Sequence, residues 1–160
     1  MEKVTDLILP VIINTIKTYH KDLYRDFEPV SENAINLHAA LTLLLIEGLA
    51  SVFKYEPVYM GHEIRIRLME GKIVENDEIF DDQCWVELNG FVIDLLGEID
   101  VYRLEFDKGI AEKLKEDTKT HFPVRPVDRD EFYFVANEPL FILDKHNEMT
   151  IIDYVKSILR

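Results

Sequence analysis

The sequence is poor in the residues that staple, loop or anchor a chain. It holds one cysteine in 160 residues, which rules out an internal disulfide and a cysteine-rich metal centre. Glycine and proline number six each, too few for a flexible linker or a low-complexity tract. There is no phosphate-cradling glycine loop, and no two of the five histidines stand at helical i, i+4 spacing. No metal and no cofactor is therefore expected. Positive charge is also scarce: 18 Lys and Arg against 31 Asp and Glu leave a net charge of −13. That field repels nucleic-acid phosphate and anionic bilayers, so neither is an expected partner. The first ten residues lack the basic start, apolar stretch and small-residue cleavage site of a secretory signal. The longest apolar stretch, 41–50, is interrupted by Thr42, Glu47 and Gly48, well short of the roughly 20 residues of a membrane span. A soluble, cytoplasmic protein is the expectation.

What is present reads as one domain over residues 1–160. Hydrophobic residues make up 48% of the chain, enough to build a core at this length without staples. Val4, Ile8, Val11, Ile12, Ile16, Tyr19, Leu23 and Phe27 recur at helical spacing, with Lys17, Lys21 and Asp22 assigned to other faces. Pro10 either kinks this helix or opens its regular part. In a second helix Ala34, Leu37, His38, Leu41, Leu45 and Gly48 line one face while Leu43, Leu44 and Ile46 cover the others. A helix apolar on nearly all sides is a central, buried one. Ser31 is its expected N-cap, Glu32 suits its N-terminal dipole, and Gly48 is its expected stop.

The period then changes to two. Strands are expected at 52–59 and 62–68, a turn at Gly71, and an exposed loop through the acidic run 75–82. Asn89-Gly90 between two apolar runs marks a type I′ hairpin, because both residues tolerate the positive φ that this turn requires. Further strands are expected at 101–106, 132–135 and 140–143, with a short helix at 110–117 and a loop around Pro123 and Pro126. Ile151, Ile152, Val155, Ile158 and Leu159 predict a closing helix capped near Asn147 or Thr150. The class is α+β: N-terminal helices, one of them central, packed on an antiparallel sheet, with a C-terminal helix to close it.

Two segments carry a resemblance. A helix over 33–48 that ends in glycine, followed by a strand toward Gly61, precedes the run QCWVELNGFVID over 83–94. This resembles transglutaminase-like and papain-like cysteine hydrolases, in which a cysteine opens a buried helix and a later hairpin supplies histidine and aspartate. The resemblance extends from Ser31 to Leu96. It implies that Asn33 holds the nucleophile position, Gln83 the base position and Asp94 the orienting acid, with Gln83 and Asp94 facing each other across the hairpin. Asn36, three residues after the nucleophile position, matches an asparagine of some of these families. Only the aspartate is retained. An amide offers neither a thiolate nor proton affinity near neutral pH, so the resemblance implies a degenerate, non-catalytic member.

Trp85 is either the floor of a binding groove or part of the core, and together with Asn36 and His62 it completes the candidate ligand-binding set. Cys84 alternates away from Trp85 and is expected in the core. The alternative makes it a relocated nucleophile with His62 or His38 as base. Three functions follow in order: a non-catalytic transglutaminase-like domain that binds a protein or a small ligand; an acidic immunity or inhibitor-type protein for a basic partner; and an active hydrolase using Asp94, His38 and His62.

Overall fold

The computed structural model describes residues 4–27, 33–54, 58–59, 61–75, 78–95, 124–138 and 149–160. Helix α1 (Val4–Asp26) is continuous through Pro10. Its apolar stripe, from Ile8 and Ile12 to Leu23 and Phe27, is buried. Asp22, which the helical spacing sets on another face than this stripe, is buried as well, and so is Asp26.

Helix α2 (Ala34–Phe53) is the central element. Ala34, Leu37, His38, Leu41 and Leu45 are sealed from solvent, as the all-round apolar pattern requires. Gly48 does not stop the helix. The end comes at Lys54, which takes the left-handed conformation at φ 53° and donates its N–H to Ala50 O. Gly48 instead admits α1: a Cβ there would stand 3.0 Å from Val11 Cγ1 and 3.2 Å from Thr15 Oγ1. The strand expected from residue 52 is thereby shortened to β1 (Val58–Tyr59), which pairs with β2 (His62–Glu63). By length and composition α2 could cross a membrane, which the interrupted run at 41–50 did not suggest, but half of its most apolar window is buried within the fold.

The main sheet has the order β5-β4-β3-β6 and is antiparallel throughout. Strand β3 (Ile66–Glu75) passes straight through Gly71, and β4 (Glu78–Leu88) begins inside the supposed acidic loop. Residues 75–82 thus belong largely to a long β3–β4 ribbon, in which backbone pairing overrides weak local strand preference. Asn89 (φ 45°) and Gly90 (φ 94°) turn β4 into β5 (Phe91–Ile93), as the dipeptide predicts. The Asn89 side chain does more: its Oδ1 accepts from Arg65 N at 2.8 Å and its Nδ2 donates to Glu63 O at 2.9 Å. The turn therefore also fixes the segment entering β3.

Proline was read as a loop marker at Pro126, but β6 (Val124–Pro126) pairs along the edge of β3, a position where a missing N–H is tolerated. Residues 132–135 are not a strand. They lie in α3 (Arg129–Asn137), opened by Asp128, whose carboxylate accepts from Glu131 N at 2.8 Å. Four consecutive apolar residues carry no periodicity, and the decisive cap lies just upstream. The closing helix α4 (Ile151–Ile158) is capped by Thr150, whose hydroxyl accepts from Asp153 N. The N-cap of α2 is Asn33 and not the expected Ser31, and the elements expected at 101–106, 110–117 and 140–143 lie outside the described residues.

Alternation divides the sheet. Leu68, Cys84, Val86, Leu88, Phe91 and Ile93 join the main core with α1, α2 and α4, whereas Met69, Trp85 and Val92 form a separate buried cluster. The chain is α+β, with its central helix against the antiparallel sheet.

Candidate functional site

Three places gather polar or aromatic side chains in a way that packing alone does not dictate. The first lies where β5 leaves the sheet and meets the opening turns of α2. The Nδ1–H of His38 donates to Ala34 O at 2.8 Å, one turn back on the same helix, and its Nε2 accepts from Leu95 N at 2.9 Å. A carbonyl can only accept and an amide N–H can only donate, so these two partners fix the tautomer as neutral with the proton on Nδ1. Complete burial pushes the imidazole down to about 4, the largest cause being loss of solvent around the charged form. Asp94 Oδ1 stands 3.6 Å from Nε2, too far for a hydrogen bond. Tyr24 of α1 donates its hydroxyl to Leu95 O at 3.0 Å, so Leu95 is tied to both helices through its two backbone groups.

This junction brings together two residues of the third functional reading, His38 and Asp94, but not His62, which is exposed on β2. The orientation is unsuited to a triad. A catalytic acid accepts from one imidazole nitrogen while the other faces the nucleophile. Here Nδ1 is spent on a backbone carbonyl, and Nε2, the nitrogen nearest the carboxylate, is spent on a backbone amide.

The degenerate triad positions fall as follows. Asn33 occupies the N-cap of α2, half-buried, with φ −100° and no side-chain cap hydrogen bond. Asp94 lies beside His38, 3% exposed. Gln83 is on β4 opposite Gly71 of β3. The β4–β5 register ends at Val86↔Ile93. Asp94 lies one residue beyond this ladder, which forms no pair between Asp94 and Gln83. Asn36 is half-buried on α2. Trp85 resolves in favour of the core: it is buried with Met69 and Val92 and donates Nε1–H to Glu87 Oε2 at 3.2 Å. Cys84 is buried as its alternation requires.

The second place is the seam between α1 and α4. Arg25 grips its neighbour Asp26 with two bonds, Nε to Oδ1 at 2.9 Å and Nη2 to Oδ2 at 2.8 Å, and its Nη1 lies 3.3 Å from Asp22. Tyr154 donates its hydroxyl to Asp26 Oδ2 at 2.7 Å. Burial, then this bond to a carboxylate, raises the phenol well above its ordinary range. Arg160 stands 2.8 Å from Asp22 Oδ2, a charge contact without hydrogen-bond alignment, and donates to Thr18 O at 2.7 Å. Every one of these charges faces a partner within the fold. Local reading of α1 missed the arrangement because the signal, two acids i, i+4 on an otherwise apolar stripe, needs Tyr154 from the far end of the chain to be meaningful.

The third place is the outer side of α3, where Tyr133 and Phe134 lie in solvent. Among the described residues no three His, Cys, Asp or Glu side chains are grouped to hold a metal ion. No family model, curated protein or solved structure matches this chain.

Proposed function

We propose that this chain is a non-catalytic binding domain on a transglutaminase-like framework, and that it acts by engaging another protein. The observation that carries the reading is the state of His38. The imidazole nearest the start of the central helix has both nitrogens committed to backbone groups, and its neighbouring carboxylate is sealed beside it. A general base needs a free lone pair in reach of substrate, and this ring would have to release Leu95 to provide one. The resemblance draws support from the return of the hairpin's aspartate to the opening turns of the central helix, the neighbourhood in which a cysteine-hydrolase triad assembles. The other two positions of the resemblance hold amides in the sequence, Asn33 and Gln83, in place of a thiol and an imidazole.

A protein partner is favoured over a small ligand. The groups that would line a vestigial cleft, Trp85, Asp94 and His38, are buried in the fold's own packing, whereas Tyr133 and Phe134 are exposed on α3.

The test is an assay of amidase and transamidase activity on glutaminyl peptides and amine donors, run with the whole chain and with Cys84→Ala and His38→Gln. No turnover above buffer is expected from any of the three. Turnover by the unaltered chain that either substitution abolishes would restore the active-hydrolase reading.

A further inference from the structure

The geometry of α3 points to a docking surface for a basic, amphipathic segment of a partner protein. The inference rests on the binding-domain reading and adds the partner's chemistry and the place where it lands.

Helix α3 directs Phe132, Val135 and Ala136 toward the core. Asp130, Tyr133, Phe134 and Asn137 therefore share the opposite side at spacings of three, four and seven, and all four are exposed. Tyr133 is 61% and Phe134 68% exposed, the highest values of any large apolar side chain among the described residues. A single exposed apolar residue is ordinary, but two adjacent rings on one short helix form a contact patch. Rings of this kind provide large contact area at little cost in side-chain freedom and dominate binding energy where they anchor an interface. The helix holds them firmly: Asp128 caps its start, and Asn137 Nδ2 donates to Tyr133 O at 2.8 Å in its last turn.

The surroundings select the occupant. The segment that carries the rings is acidic: residues 128–138 hold Asp128, Asp130, Glu131 and Glu138 against Arg129, a net charge of −3. A second copy of this chain would bring the same rim and its own −13; nucleic acid and anionic lipid would bring phosphate. All three are disfavoured by like charge. A segment carrying Lys or Arg beside apolar residues meets both features at once. Its apolar side chains cover the ring faces, and its cations reach the carboxylates or lie over the rings.

The experiment uses the full chain and a fluorescein-labelled model peptide of lysine and leucine at helical spacing. Its controls are a twin with glutamate for lysine and a lysine–serine peptide of the same charge. The lysine–leucine peptide is expected to bind, with affinity weakened at least about tenfold by Tyr133→Ser with Phe134→Ser. A comparable loss is expected from Asp130→Lys with Glu138→Lys, and from raising salt from about 50 to about 500 mM. The twin should not bind, and the lysine–serine peptide should bind far more weakly. Equal binding by the ring variant, equal binding of the acidic twin, or no binding of the lysine–leucine peptide overturns the proposal. A fall of more than about 5 °C in the ring variant's melting temperature does so as well, because the rings would then be internal packing. None of these outcomes produces turnover, so failure here is separate from failure of the non-catalytic reading.

Discussion

The β5 exit and the α1–α4 seam perform the same task by opposite chemistry. Each ties a late stretch of chain to an early helix: Leu95 to His38 and Tyr24, and Tyr154 with Arg160 to Asp22 and Asp26. The first is dry and neutral. It works by exhausting the donors and acceptors of one imidazole, so its strength lies in what would be left unpaired. The second is charged and half in water. Its buried acids face arginines that are more than half exposed, so much of its Coulomb attraction is screened. A neutral staple in a sealed site is sensitive to protons and indifferent to salt; a charged one at the surface is the reverse.

The largest effect should come from breaking the neutral staple. His38→Ala leaves the buried Leu95 N–H without its partner and opens a cavity in the core. A loss of about 4 kcal/mol is expected in urea unfolding. Next comes acid. Above about pH 6.5 the imidazole is neutral whether the chain is folded or not, and the staple's contribution is complete. Between about 6.5 and about 4 the unfolded chain takes up a proton that the folded chain refuses, so stability falls with pH across that window by up to about 3 kcal/mol. Asp94 is the titratable group facing the ring. Denaturation midpoints measured from pH 7 to pH 4 should show this slope, and His38→Gln, which does not titrate, should remove it; an unchanged slope would refute the assignment.

On the charged side, Tyr154→Phe removes one donor from buried Asp26 while Arg25 retains its two bonds, for an expected cost of about 1–2 kcal/mol. The smallest effect is expected from Arg160→Ala, about 1 kcal/mol or less at low salt and vanishing near 1 M. If Arg160→Ala costs as much in high salt as in low, the contrast between the two regions fails, and packing of the arginine over the Tyr19 ring becomes the better account.

What could be read ahead of the structure followed the range of the forces involved. The two long helices, the Asn89-Gly90 turn and the Thr150 cap depend on periodicity and on residues a few positions apart, and these emerged as expected. The β3–β4 ribbon did not, because a strand through Gly71 and Glu75 is stabilised by its partner strand more than by its own composition. Gly48 was misread for a related reason: a glycine late in an apolar helix looks like a stop, and only the approach of Val11 and Thr15 reveals a crossing point. Of the candidate site, strand alternation correctly sent Cys84 into the core. Asp94 stands beside His38 of the central helix, a pair that the active-hydrolase reading grouped with no spacing in the sequence to bring them together.

The α1–α4 seam also has a consequence in time. Asp26 reaches its phenol partner across 128 positions of sequence and Tyr19 meets Arg160 across 141, so α1 leaves the ribosome long before the residues that complete it. Until they arrive, α1 presents an apolar stripe and two acids that have yet to find their final neighbours. Contacts of such long separation are late and slow to form, so the apolar stripe of α1 is more open to aggregation in the nascent chain than in the finished domain.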